Sequence, residues 1–332
     1  METSSPRNAR TVVVGGGTMG ADVAVVLARG GAQVTVVDPH AARRDHLLPH
    51  IAQELAAAGQ ATHAGPVQVC ASLQDVDWSG VVLVVECITE QLAAKKKLFA
   101  ELETMAPPNA VLASNSSGFP ISAIAQGLAT AQRMLGLHFF MPAHLVPLVE
   151  VVLGERSDPA LGTWLHAFMR GCGSVPVLVK KDKPGFLANR MQHALSREAF
   201  ALIDEGIASP EDVDAAVRFG FGFRFLAAGP VLQRDHAGIE VHTAAAATMY
   251  PTLSNTGVPA QALRDKVAQG TLGMKTGKGF FDWPEDRKQA ERARYDTLLR
   301  QGLALLASEL PTIEPPGHAS STETSPTAGA RA

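Results

Sequence analysis

The chain has 332 residues, 46% of them hydrophobic and 18% charged, with a formal net charge of -3. This balance suits an ordinary globular protein with room for two domains, and it excludes the basic face that nucleic acid or an anionic membrane would require. No apolar stretch approaches the ~20 residues of a membrane helix, and Met1 to Arg10 lacks the order of a secretory signal, so the cytoplasm is the expected compartment and small metabolites the expected partners.

Residues 1–7 read as a flexible N-terminus. Short β-branched runs then alternate with helical patterns as far as Val179, which predicts βαβ units and a mainly parallel sheet. Strands are expected at Thr11–Val14, Val34–Val37, Val67–Val69, Val81–Val85, Val111–Ala113, Leu135–Leu137, Leu148–Val152 and Val175–Val179. Met19, Val23, Val26 and Leu27 recur at helical spacing before Gly30 and Gly31. From Pro184 the apolar period turns helical throughout: Leu187, Met191, Leu195, Leu202 and Ile203 share a face that ends at Gly206. Ser209-Pro210-Glu211-Asp212 then opens another helix with a serine cap, proline at its first position and acids in its first turn. The chain thus divides into an α/β domain, 8–183, and an all-α domain, 184–310. The stretch 311–332 is Ser, Thr, Pro, Gly and Ala with too few large apolar groups to offset its ordering entropy, and it is expected to be a disordered tail. Cys70, Cys87 and Cys172 are few, widely spaced and set among apolar residues, which fits buried thiols rather than a disulfide frame.

Gly15-Gly16-Gly17-Thr18-Met19-Gly20 follows a strand, opens a helix and satisfies G-x-G-x-x-G, while Asp38 closes the next strand. Gly15 permits the tight turn, Gly17 lets backbone approach a pyrophosphate, and Gly20 lets helix and strand pack closely. The helix start, at Thr18 and Met19, supplies N–H donors. Asp38 is expected on the ribose hydroxyls, where its charge opposes a 2′-phosphate and favours NAD, although Arg43 and Arg44 stand nearby.

Oxidising a secondary alcohol with such a cofactor needs a base for the hydroxyl proton, and a partner to fix the base's tautomer. Of the 11 histidines, His138 alone falls at the C-terminal end of a predicted sheet strand with a lone acid, Glu150, in the adjoining strand. Spacing by itself leaves this pair a weak signal. His46 and His50 stand at i, i+4, but Pro49 between them is expected to disrupt a helix interior, and no third ligand stands nearby, so no metal is assigned. A hydrolytic reading of Ser117, His138 and Glu150 lacks the G-x-S-x-G elbow.

Further motifs follow in order: Val84-Val85-Glu86 with Glu90 and Lys95, Ala113-Ser114-Asn115-Ser116-Ser117, and His138-Phe139-Phe140 leading to Leu148-Val149-Glu150-Val151. Lys181-Asp182-Lys183-Pro184-Gly185-Phe186 with Asn189-Arg190 comes next, and then Gly273-Met274-Lys275-Thr276-Gly277-Lys278-Gly279-Phe280. With the glycine loop, this series resembles the 3-hydroxyacyl-CoA dehydrogenase family over roughly residues 8 to 285. The resemblance implies a Rossmann-type N-terminal domain, a helical C-terminal domain that forms a homodimer, and a site in the cleft between them. It implies His138 as general base and Glu150 as its orienting carboxylate, with Ser117 and Asn189 on the reacting oxygen. Glu90, Lys95 and Lys275 would lie near the ribose or nicotinamide. Lys95 to Lys97 also read as a solvated helix face.

Three departures bear on the substrate. Met141 stands where the family has asparagine. The arm from Ala41 to Gly65 is short and has no lysine, where the acyl-CoA enzymes carry a lysine-rich arm for the CoA phosphates. Arg224-Phe225-Leu226-Ala227-Ala228 lengthens the link between Gly220-Phe221-Gly222-Phe223 and Gly229-Pro230. This link is similar to that of relatives acting on free acids, such as carnitine and gulonate dehydrogenases and a hydroxymethylpyridine carboxylate dehydrogenase. Arg224 then offers a two-pronged clamp for a carboxylate, with a surface salt bridge as its alternative. His144 offers a further polar contact or an exposed loop position. The expectation is a small free 3-hydroxy acid; a short acyl-CoA is the alternative, and a non-catalytic NAD-binding sensor or structural protein is the alternative of another class.

Overall fold

The computed structural model describes residues 4–314. They separate into two compact units, one holding the chain up to Lys183 together with the residues from Leu310, the other Pro184–Glu309.

In the first unit the elements run β1 (Arg10–Val14), α1 (Thr18–Arg29), β2 (Gln33–Val37), α2 (Ala41–Ala57), β3 (Val67–Cys70), β4 (Val81–Glu86), α3 (Leu92–Met105), β5 (Val111–Ser114), α4 (Ile121–Ile124), β6 (Met134–Phe139), β7 (Leu148–Leu153), α5 (Pro159–Gly171) and β8 (Val175–Val179). The strands form one eight-stranded sheet in the order β3-β2-β1-β4-β5-β6-β7-β8. Every neighbouring pair is parallel except β6 with β7 and β7 lies parallel to β8. Each predicted strand is present. Their continuous Val and Leu runs suit a sheet covered on both faces: Val13, Val36, Leu83, Val85, Ala113, Leu135, Leu137 and Val151 are buried with Val23, Val26 and Leu27 of α1 and Phe168 of α5. Chain order reverses between β1 and β4, and it is at this switch, beyond the C-terminal strand ends, that an open α/β sheet leaves a crevice.

Three local expectations need correction. Pro49 lies inside α2, which continues through it, so His46 and His50 do share a helix. Residues 4–7 were expected to be flexible, yet Pro6 is buried and abuts Gly30 and Gly171, because glycine leaves room there for its ring. Residues 311–314, expected to be part of the tail, are likewise held. Ile313 packs where a Gly173 side chain would sit, and Arg7 donates to the Glu314 carbonyl at 2.5 Å. Residues 315–332 lie outside the described residues.

The second unit is helical: α6 (Ala188–Asp204), α7 (Pro210–Ala215), α8 (Gly222–Arg224), α9 (Leu232–Ala237), α10 (Ile239–Met249), α11 (Gln261–Ala268) and α12 (Glu285–Leu305). Ser209 caps α7 as its sequence predicts, accepting from Asp212 N–H at 3.1 Å. The Asp204 carboxylate caps α11 in the same manner, accepting from Gln261 and Ala262 N–H. Within this chain the apolar face of α6 is not buried: Leu187, Met191 and Leu195 are all exposed. Among the described residues no helix is long and apolar enough to cross a membrane.

Candidate active site

The glycine loop leaves β1 at Gly15, whose φ of +103° is open to glycine and to few other residues. A side chain on Gly20 would sit 1.7 Å from the Gly15 carbonyl oxygen, so strand and helix approach only because that position is bare. Nothing lies within 4 Å of a side chain built on Gly17, which is the N-cap of α1 and has no side-chain cap. The loop therefore offers open space in front of the first-turn N–H groups of Thr18 and Met19, the arrangement that receives a pyrophosphate. Thr18 is exposed and Met19 half-buried. Asp38, at the end of β2, is buried, and its carboxylate accepts from Gly16 N–H and His40 N–H, both at 2.8 Å. Arg43 stands 3.5 Å from it. These residues fit a dinucleotide: they provide a cradle free of side chains, helix N–H donors and an acid fixed at the neighbouring strand end.

On the same sheet edge, His138 of β6 and Glu150 of β7 are directly opposite in the antiparallel ladder, which puts both side chains on one face. His138 Nδ1 lies 2.6 Å from Glu150 Oε2, with both residues buried, and Nε2 lies 3.1 Å from Ser117 Oγ. A carboxylate only accepts, so Nδ1 carries the proton given to Glu150 and Nε2 presents a lone pair on the Ser117 side. Phe140 packs edge-on against the imidazole.

Ser117 stands on a turn that is itself held. Glu90 Oε1 accepts from Ser116 Oγ at 2.6 Å, Gly118 N–H at 2.9 Å and Ser117 N–H at 3.1 Å. Although burial alone would raise it, these bonds and Lys95 hold the Glu90 carboxyl below its ordinary range. Lys95 departs from the solvated-face reading: its ammonium is buried, 2.7 Å from Glu86 Oε1 and 3.2 Å from Glu90 Oε2. Both charges it meets belong to the protein, and through Glu90 it is joined to the Ser117 turn. Glu86, fully buried at the end of β4, also accepts from Ser114 Oγ at 2.6 Å and Ile88 N–H at 2.7 Å. Sequence reasoning gave Glu86 no role; the available signal was a lone acid closing an apolar strand. Asn115 went equally unassigned, and its Oδ1 accepts from Phe139 N–H at 2.9 Å, tying the Ser117 turn to β6.

The remaining candidates lie in the second unit. Asn189, in the first turn of α6, is half-buried on the wall of a cavity of about 780 Å³ that also meets Arg190, His193, Arg197 and Val258. Arg224 is exposed at the end of α8, and Lys275 is exposed on a tight turn at Met274–Thr276. In the first unit Met141 is exposed, whereas His144, offered as a loop histidine, is largely enclosed beside Asp22 and Glu54. The three cysteines are free thiols, and burial pushes Cys172 up to about 12, which removes it as a nucleophile.

A switch-point glycine loop with a terminal acid, sharing a sheet edge with a paired imidazole, defines an NAD-dependent oxidoreductase acting on a CH–OH group. Residues 10–183 match the NAD binding domain of 3-hydroxyacyl-CoA dehydrogenase and residues 185–283 its C-terminal domain, and the chain belongs to this family. It is 34% identical over 290 residues to the 5-formyl-3-hydroxy-2-methylpyridine 4-carboxylate 5-dehydrogenase of Mesorhizobium japonicum, covering 85% of this chain and 94% of that one. The crystal structure of a dehydrogenase of that name, described as an NAD+ dependent dismutase, superposes with a TM-score of 0.85 at 30% identity, covering 90% of this chain and 98% of the other. The (S)-3-hydroxybutyryl-CoA dehydrogenase PaaH1 from Ralstonia eutropha superposes with a TM-score of 0.67 at 29% identity, covering 83% and 99%.

Proposed function

We propose that the protein oxidises the hydroxyl of a small free 3-hydroxy acid, or of a related carboxylated alcohol, or runs the reverse reduction, with His138 as the general base. The observation that carries this reading is the 2.6 Å contact of His138 Nδ1 with Glu150, which leaves Nε2 to face Ser117 Oγ. Held by the glycine loop and Asp38, NAD would supply the hydride acceptor for the alcohol carbon. The chain's own part is to move the proton: Nε2 accepts it from the alcohol, and Glu150 stabilises the imidazolium that results. Ser117 Oγ, held by its turn, donates to the oxygen as it becomes a carbonyl. Asn189 takes the same task by motif position and side-chain chemistry, and Gly15, Gly17, Gly20 and Asp38 hold the dinucleotide.

The free acid is favoured over an acyl-CoA by the lysine-free arm at residues 41–65, by the planar donor fork of Arg224, and by the greater likeness to a carboxylate dehydrogenase than to an acyl-CoA one. A homodimer through the second unit completes the reading. It is supported by Ile207, Phe219, Val231, Ile239 and Val241, each more than half exposed in the single chain. A cytoplasmic location goes with the free thiols.

The test is purified protein with NAD and a panel of 3-hydroxybutyryl-CoA, carnitine, gulonate and an aromatic hydroxymethyl acid, followed at the NADH absorbance band. Turnover of a free acid that falls by about a hundredfold or more in His138→Ala, with NAD affinity retained, supports the proposal. Preference for the thioester overturns the substrate, and inertness toward the whole panel favours a sensor.

A further inference from the structure

Residues 140–147 join the two strands that carry His138 and Glu150, and α1 grips this loop. Asp22, on α1, is buried although it stands in the apolar run Ala21–Ala28. Its Oδ2 accepts from Ala143 N–H at 3.1 Å. Its Oδ1 lies 3.0 Å from His50 Nε2 of α2 and 3.0 Å from His144 Nδ1. The second of these contacts is off the line of the ring N–H, so it is a close approach and not an aligned hydrogen bond. On its far side, His144 Nε2 lies 3.2 Å from Glu54 Oε2 of α2. Arg29, the last residue of α1, donates to the His144 carbonyl at 3.1 Å and to the Cys172 carbonyl at 2.7 Å. One helix thus holds the N–H of Ala143 and both the ring and the carbonyl of His144.

A carboxylate offers no proton, and a neutral imidazole has one N–H. Set between Asp22 and Glu54, a neutral His144 would turn a lone pair toward one of them, whereas an imidazolium has none to turn. The charged groups facing it are Asp22 and Arg29 from α1 and His50 and Glu54 from α2. A buried Asp22 needs such a partner, since a carboxylate left alone in the interior is strongly destabilising.

We propose that Asp22 and His144 are positioning residues for the oxidation. The His144 ring, bridged between the dinucleotide helix and α2, pins the loop and so fixes the approach of Glu150 to His138. The helix that opens at the glycine loop thereby also sets the geometry of the base. The role in turnover rests on the assignment of His138 above; the pinning itself does not.

The test compares wild-type protein with Asp22→Asn, which keeps an acceptor for Ala143 N–H but loses the charge, and with His144→Gln, a milder change at a loop position. Hydrogen exchange of the 140–147 amides in the NAD-bound protein is expected to quicken roughly tenfold in both variants, after correction for intrinsic rates. The proton between His138 and Glu150, expected far downfield in the wild-type NMR spectrum, is lost or displaced in both. On a substrate that is turned over, kcat falls roughly tenfold while KM for NAD stays within about twofold. The double variant is no worse than the poorer single, because both remove one bridge. Unchanged loop exchange with an unmoved downfield proton overturns the proposal, as does a loss confined to KM for NAD. Failure of the base assignment would show separately, as turnover persisting in His138→Ala, and the exchange and NMR readouts would still decide the pinning.

Discussion

Glu150 Oε2 meets His138 Nδ1 at 2.6 Å because the two residues are cross-strand partners at the one antiparallel junction of an otherwise parallel sheet. Glu150→Gln keeps an acceptor for the Nδ1 proton and deletes the charge that supports the imidazolium. It is expected to lower kcat by at least about tenfold and to leave KM for NAD within about twofold. Steady-state kinetics check this; an unchanged kcat would remove Glu150 from the mechanism.

Two glycines of one loop are expected to respond differently. Gly20→Ala drives a methyl to 1.7 Å from the Gly15 carbonyl oxygen and should prevent close packing of α1 on β1, seen as a large drop in unfolding temperature. Gly17→Ala meets nothing within 4 Å, so its unfolding temperature should hold. Its NADH affinity, read by fluorescence titration, should fall roughly tenfold or more, because the methyl enters the space open for the pyrophosphate.

Lys95→Met leaves the fully buried Glu86 carboxylate without its cation. The expected loss is about 3–5 kcal/mol in denaturant unfolding. Adding Glu86→Gln should recover part of it, since the uncompensated charge is then gone.

Stability should also depend on pH through Asp22. Burial alone would raise its carboxyl, but His144 and His50 beside it hold it below its ordinary 3.8, and Asp22 in turn holds His50 above its ordinary 6.5. A depressed carboxyl contributes stability above its ordinary value and loses it as pH falls through the folded one. A raised imidazole contributes below its ordinary value and loses it as pH rises through the folded one. The two contributions overlap between 3.8 and 6.5. The unfolding-temperature gap between wild type and Asp22→Asn should therefore be widest near about pH 5–6 and narrow toward about pH 9. A gap independent of pH would count against the charge.

Arg224→Ala should raise KM roughly tenfold for a substrate with a free carboxylate and leave it unchanged for the corresponding amide, as loss of a charge-assisted pair requires. Equal losses for acid and amide would remove the clamp.

The α/β half was legible because its signals are local. Runs such as Val81–Glu86 and Leu148–Leu153 announce buried strands, and the glycine loop with Asp38 announces itself by spacing. The His138–Glu150 pair was not legible from spacing, since twelve intervening residues do not reveal which strands become neighbours or in what direction. Lys95 was hidden by Lys96 and Lys97, which make three cations look like one wet face although only the first turns inward. Asp22 was hidden by the apolar residues around it, its partners arriving from α2 and from the loop before β7. Pro49 misled because a proline rule describes a tendency of isolated helices, and packing of Leu47, Ile51 and Leu55 carries α2 past it.

Side chains alternate faces along a strand, so sliding β7 by a single residue against β6 would send the Glu150 carboxylate to the opposite side of the sheet. The glycine cradle, built on β1 and α1, would not notice. A batch of protein misassembled in that one hairpin would still retain its nucleotide on a column while doing no chemistry. Specific activity per bound NADH, rather than yield or ligand retention, is therefore the measure of whether a preparation has folded correctly.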